Sequence, residues 1–246
     1  MWFDSIDPRD PQQLTSGVSA LRFRYDALDN SSLWLWGIWP DGEIKGLEII
    51  PSEKGYLESG GRYVRPVPAG YMAVTFNSRQ AGLPSYDLDF RENRFALDGK
   101  WDLGAGLWFE AVMQHQDEDL LPAPWSKMLT VGTDYTFSAG NGLYVMLEHM
   151  GIFRSWDAWE NDEDHQTSAW MASYPVNLTD KISAIGYYSW NTEKYYQYAA
   201  FQRLWDDWIL HISAFYYPEP AARSSPWDPV QPLAGTGGQV LVIFNH

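Results

Sequence analysis

Five histidines and one run of carboxylates are the residues of this sequence best suited to acid–base or metal chemistry. His115, His149, His165, His211 and His246 are scattered along the chain. His211-Ile212-Ser213 would place an imidazole and a hydroxyl on one face of an extended strand, the pairing that activates a serine nucleophile. No Asn or Asp stands nearby to orient the imidazole as a triad requires, so a polar strand face is the better reading. The stretch Asp157 to His165, with Glu160, Asp162, Glu163 and Asp164, offers oxygen ligands for a divalent cation. It lacks the spaced Gly and fixed ligand order of a calcium loop and reads as a solvated connection. Gly60-Gly61 and Gly237-Gly238 are isolated pairs, not a phosphate-binding loop. Asn30-Ser31-Ser32 and Asn177-Leu178-Thr179 fit the glycosylation pattern, but in turns, where Asn is favoured in any case.

Composition narrows the classes further. With no cysteine there is neither a disulfide framework nor a thiolate zinc site. A balance of 32 acids to 17 bases, net −15, argues against a nucleic-acid partner. Aromatics form 16% of the chain, including 14 Trp and 15 Tyr, an excess that suits surfaces with one apolar and one wet side. Mean hydropathy is nonetheless −0.37 and no run of apolar residues is long enough for a membrane helix. A closed barrel is the one membrane-spanning structure compatible with that pattern, because its backbone bonds lie between strands. The first residues, Met1-Trp2-Phe3-Asp4-Ser5, carry neither the basic nor the apolar region of an export signal.

The elements that position these residues are strands. Gly and Pro total 35 (20 and 15), few windows show a helical period, and period-two alternation recurs throughout. Leu21, Phe23 and Tyr25 oppose Arg22, Arg24 and Asp26; Phe95, Leu97 and Trp101 oppose Arg94, Asp98 and Lys100. Leu129, Val131, Tyr135 and Phe137 oppose Thr130, Asp134 and Thr136, while Trp208, Leu210, Ile212, Ala214 and Tyr216 oppose His211 and Ser213. Leu33 to Ile38 is apolar on both faces, and Tyr196 to Leu204 puts Gln202 on its otherwise apolar side. Strands are expected at 17–26, 31–39, 61–67, 70–79, 93–103, 106–116, 126–138, 142–154, 166–176, 181–191, 196–205, 208–217 and 237–246. Short connections (Ala27–Asn30, Pro68-Ala69, Gly104-Ala105, Ala139–Asn141, Asn177–Asp180, Asp206-Asp207) alternate with longer ones at 40–60, 80–92, 117–125, 155–165 and 218–236, the connection 192–195 being modest. Tight turns at one end and long loops at the other are the rhythm of an outer-membrane barrel.

The final segment, Gly237 to His246, puts Val240, Val242 and Phe244 on one face. It resembles the closing strand of bacterial outer-membrane barrels, which typically ends in an aromatic residue; here His246 holds that place and Phe244 lies two before it. Asp7-Pro8-Arg9-Asp10-Pro11 and Gly61-Arg62-Tyr63-Val64-Arg65-Pro66-Val67-Pro68 are similar to pieces of such barrels. Together these features resemble the porin-like class across nearly the whole chain. The resemblance implies passive or facilitated diffusion of small polar solutes, no cofactor, no catalysis, and surroundings of outer-membrane lipid and lipopolysaccharide.

The expected fold is therefore all-β, an antiparallel up-and-down transmembrane barrel of about 12–14 strands in a single domain 1–246, with 1–16 irregular. Its turns would be periplasmic and its long loops external. Ionisable residues read as facing the lumen are Arg22, Arg24, Arg79, Arg94, Lys100, Glu110, Asp134, Glu148, Arg203 and His211. The bases fall mainly on early strands and the acids follow. A basic wall facing an acidic one would set a transverse field across a pore, whereas mutual salt bridges would close the lumen. Two other classes remain open: a soluble or secreted glycan-binding protein whose Trp and Tyr stack on sugars, and an outer-membrane phospholipase- or protease-type enzyme. Thirteen strands is an odd count where single-chain bacterial barrels use even numbers, so the sequence is expected to lack at least one strand upstream of Gly17.

Overall fold

The computed structural model describes residues 18–44, 48, 50–83, 88–117, 123–218 and 235–244. The expected irregular segment 1–16, the Asp7–Pro11 segment and His246 lie outside them. Thirteen strands follow one another: β1 (Ser19–Asp26), β2 (Ser32–Trp39), β3 (Glu58–Val67), β4 (Gly70–Leu83), β5 (Leu88–Asp102), β6 (Gly106–Gln116), β7 (Trp125–Phe137), β8 (Leu143–Ser155), β9 (Glu163–Pro175), β10 (Asp180–Ser189), β11 (Lys194–Leu204), β12 (Trp208–Tyr217) and β13 (Gly235–Phe244). Each pairs antiparallel with the next, giving one up-and-down sheet in chain order.

The sheet is open. No pairing joins β1 to β13, so the expected closed barrel is not formed by the described residues. In this antiparallel sheet strands one and thirteen run in the same direction, so a direct pairing between them would have to be parallel.

Turn chemistry fixes the short end. Pro68-Ala69 is a two-residue hairpin between Val67 and Gly70, with Pro presetting the first corner and Ala69 at φ 60°. In the β1–β2 turn, the Ser31 amide and hydroxyl donate to Asp29 Oδ1 at 3.0 and 2.6 Å, and these bonds draw the Asp29 carboxyl below the usual carboxylate range.

The hairpin of β4 and β5 departs from expectation. Its strands reach Leu83 and Leu88, where the polar sequence 80–92 reads as a loop. Segment 50–53 lies along that extension: Ser52 bridges to Ala81, the Glu53 amide donates to the Gln80 carbonyl at 2.9 Å, and Gly82 donates to Pro51 at 3.1 Å. Ile50, Ala81 and Phe90 form a small buried cluster there. Residues 54–57 thus bulge from a strand that resumes on their far side.

Cross-strand partners share a face, so the register sorts the side chains of the whole sheet. Starting from Phe23, successive partners are Leu35, Gly61, Phe76, Phe95, Met113, Lys127, Phe153 and Asp164. That row begins in mid-β1 and reaches the loop end at β9. The strands are therefore staggered in one sense, as strands are in a tilted, barrel-like wall.

Candidate functional site

One face of the sheet is apolar and exposed. Leu21, Phe23, Tyr25, Phe95, Leu97, Leu129, Val131, Leu210, Ile212, Val240 and Val242 all lie on it by register. Phe23, Val240 and Val242 are 59%, 66% and 56% exposed, far beyond the scattered apolar residues of an ordinary surface. Aromatics gather toward its two ends: Trp39, Trp125, Trp190 and Tyr216 near the loops, and Trp101, Tyr135, Phe137, Trp208 and Phe244 near the turns.

The other face carries most of the ionisable groups, and its β3–β6 portion is a buried network. Glu92 sits at its centre with a fully buried side chain. It accepts from Arg79 at 2.7 and 3.0 Å, from Arg94 at 2.6 Å, and from the Gln114 and Gln116 amides at 2.8 and 2.9 Å. Glu48, from the β2–β3 connection, reaches Arg79 at 3.0 Å and Arg94 at 3.1 Å. The Ser52 hydroxyl donates to Glu58 and accepts from Arg79. Alongside, Arg62 forms a two-pronged pair with Asp98 at 2.5 and 2.6 Å and donates to Thr75 at 2.9 Å. Paired in this way the charges are tolerable in a covered site; singly they would not be.

Of the ten ionisable residues expected on this face, nine are there. Arg22 and Arg24 are exposed, each with its guanidinium 5.1 Å from the Trp34 ring centre, and Arg24 pairs with Asp26 at 2.9 Å. Arg79 and Arg94 belong to the network. Lys100 stands 6.0 Å over Trp108, whose indole donates to Glu148 at 3.2 Å. Tyr144 donates to Asp134 at 3.4 Å, and one oxygen of Glu110 is buried without a partner. His211 lies 3.4 Å from the Tyr198 hydroxyl.

Arg203 is the exception. It faces the apolar side, opposite Leu210, paired with Asp180 at 2.8 Å. The sequence reading assigned β11 the wrong parity: Gln202 and Ala200 face the same way as their partners His211 and Ser213. Arg22, Arg24, Arg79, Arg94 and Lys100 stand on β1, β4 and β5 and Glu110, Asp134 and Glu148 on β6–β8, but Arg79 and Arg94 are bound by Glu92 and Glu48 within one cluster. Glu48, Ser52, Glu58, Arg62, Glu92 and Asp98 were not among the expected site residues. Asp98 stands in the alternation of β5, but its pairing with Arg62 spans three strands and has no local signal.

Beyond the network the same face turns neutral. Between the ends of β10–β13 it presents Tyr187, Tyr196, Tyr198, Ser213, Phe215 and Gln239, with Ser213 Oγ and His211 Nδ1 buried without partners. On the apolar face His149 Nδ1 and the Trp190 indole each lie 2.9 Å from Ser168 Oγ. No described carboxylate bonds that imidazole, and no described group of three acids or histidines is placed to hold a metal ion. Set against known proteins, the chain matches no family model, no curated protein and no solved structure.

Proposed function

We propose that this chain forms the wall of a porin-like β-barrel in a bacterial outer membrane, a path for diffusion of small polar solutes and not an enzyme. The observation that carries the reading is the exposed apolar face, edged with aromatics at both ends and backed by a face that holds most of the ionisable groups. A lipid-facing strand surface needs that distribution, because Arg or Lys at mid-depth costs about 2–4 kcal/mol. The polar face would line the lumen, with Arg22, Arg24, Lys100, Glu110, Asp134 and Glu148 toward solutes and the Arg79–Glu92–Arg94 cluster bracing the wall. Since β1 and β13 run the same way, an all-antiparallel barrel requires an odd number of strands beyond these thirteen. Unpaired edges in lipid would leave backbone groups without partners.

Refolded protein added to a planar bilayer tests the reading directly. Stepwise conductance is expected, and Arg22→Gln with Arg24→Gln should move the reversal potential toward cation preference. Absence of steps together with saturable sugar binding in solution would replace the pore with a glycan-binding sheet. Unchanged reversal potentials would remove these two arginines from the conduction path.

A further inference from the structure

A groove of about 860 Å³ opens at the turn end of the sheet, where β11, β12 and β13 meet. Its apolar wall is Leu204, Leu210 and Val242, and the indoles of Trp205 and Trp208 flank it. Asp206 and Asp207, both exposed at the turn, supply its polar rim. The turn is held by the Trp205 amide donating to the Trp208 carbonyl at 2.8 Å, and Trp208 is braced against Phe244 with ring centres 4.7 Å apart. The Arg203 guanidinium stands 5.6 Å over the Trp205 ring while bonded to Asp180.

We infer that this groove binds a phospholipid with a primary-amine headgroup, phosphatidylethanolamine, one acyl chain lying on Leu210 and Val242, which share the exposed apolar face. The inference rests on the membrane reading above and names a lipid for one place in it. Charge complementarity sets the headgroup: two adjacent carboxylates beside two indole faces favour a compact ammonium, which both attract. Indoles at an aromatic girdle lie at headgroup depth, so ring, carboxylate and acyl wall would meet a lipid in its ordinary orientation. The volume falls within the range of specific small-ligand sites. An anionic headgroup would meet Asp206 and Asp207 with repulsion, and a bulky quaternary one offers no N–H donor to either carboxylate.

The test compares tryptophan quenching in vesicles of unbrominated phosphatidylcholine doped with brominated phosphatidylethanolamine, phosphatidylcholine or phosphatidylglycerol. Preference for the ethanolamine lipid by about fivefold over the other two is expected, falling to parity in Asp206→Asn/Asp207→Asn. Equal quenching by all three lipids in inserted protein, or a preference that survives the double substitution, overturns the inference while leaving the barrel intact. Should the protein fail to enter vesicles, the barrel reading falls. The groove is then judged in neutral micelles by titrating dodecylammonium against dodecyl sulfate. Saturable binding of the ammonium alone, lost in the double variant and weakened in Trp205→Leu, upholds the site; its absence ends it.

Discussion

The polar face is built in two ways, and the contrast between β3–β6 and β10–β13 shows what alternation leaves undecided. In β3–β6 the inward positions hold Arg62, Arg79, Glu92, Arg94 and Asp98, charges paired with one another or with Glu48 beside the returning segment 50–53, and Glu58, which accepts from the Ser52 hydroxyl. Between the ends of β10–β13 equivalent positions hold tyrosines, serine, glutamine and one histidine; His211 Nδ1 and Ser213 Oγ are buried without partners there, as Glu58 Oε2, Asn77 Nδ2 and Glu110 Oε1 are in the first region. Both regions are polar strand faces of one sheet. The first is locked by charge-assisted bonds, each dependent on the others; the second relies on ring contacts such as Tyr196–Tyr217 at 5.8 Å.

Breaking the network should give the largest effect. Arg79→Ala leaves Glu92 buried with one arginine where it had two, and should destabilise by about 3–5 kcal/mol in urea unfolding. The double variant Arg79→Met/Glu92→Leu should recover most of that loss, since paired removal strands no charge. A single variant as mild as the double would mean that the cluster is not coupled as its geometry indicates.

A next lower effect is expected where rings cover glycine. Trp36 lies opposite Gly60 and Trp108 opposite Gly132, so a Cβ at either glycine would collide with the facing indole. Gly132→Ala should cost about 1–3 kcal/mol and release Trp108 from Glu148. In a Trp108→Ala background the same change should be nearly silent, a coupling that a double-mutant cycle reads directly.

On the neutral side the changes should be small. Ser213→Ala removes an unpartnered hydroxyl and should fall within about 1 kcal/mol of the parent. A cost as large as that of Arg79→Ala would erase the distinction between the two regions.

The smallest effect concerns Asp29 in the β1–β2 turn. Its folded-state pKa lies below its unfolded value, so the stabilisation is present above the unfolded value and disappears as pH falls through the folded one. Asp29→Ala should lower stability slightly at neutral pH and leave it unchanged in acid, which flattens the acid limb of the stability curve. A loss that grows as pH falls would contradict the assigned sign.

Strand positions were legible because alternation is written locally. Leu21, Phe23 and Tyr25 against Arg22 and Arg24 can be sorted without knowing any neighbour, and the short turns mark their own ends with Pro68 or Asn30. Where local contrast is absent, the reading failed. Tyr196, Tyr198, Phe201 and Ala199 give β11 two faces of similar polarity, and only its pairing with Ile212 and His211 shows that Arg203 faces the apolar side. The extension of β4 and β5 was hidden for a related reason. The stretch 80–92 is polar enough for a loop, and its portions 80–83 and 88–92 become sheet because Arg79 finds Glu92 and segment 50–53 covers Ala81 and Phe90.

The sequence by itself thus determined the all-β class, the number and order of strands, the short and long ends, and one apolar face. Those follow from side-chain period and turn preference, which act over a few residues. Tertiary structure alone decided which charges meet and where Glu48 and segment 50–53 lie. Those depend on register and strand parity across the sheet, which bring Glu48 to Arg94 and Arg62 to Asp98 from positions too distant for any local pattern to join.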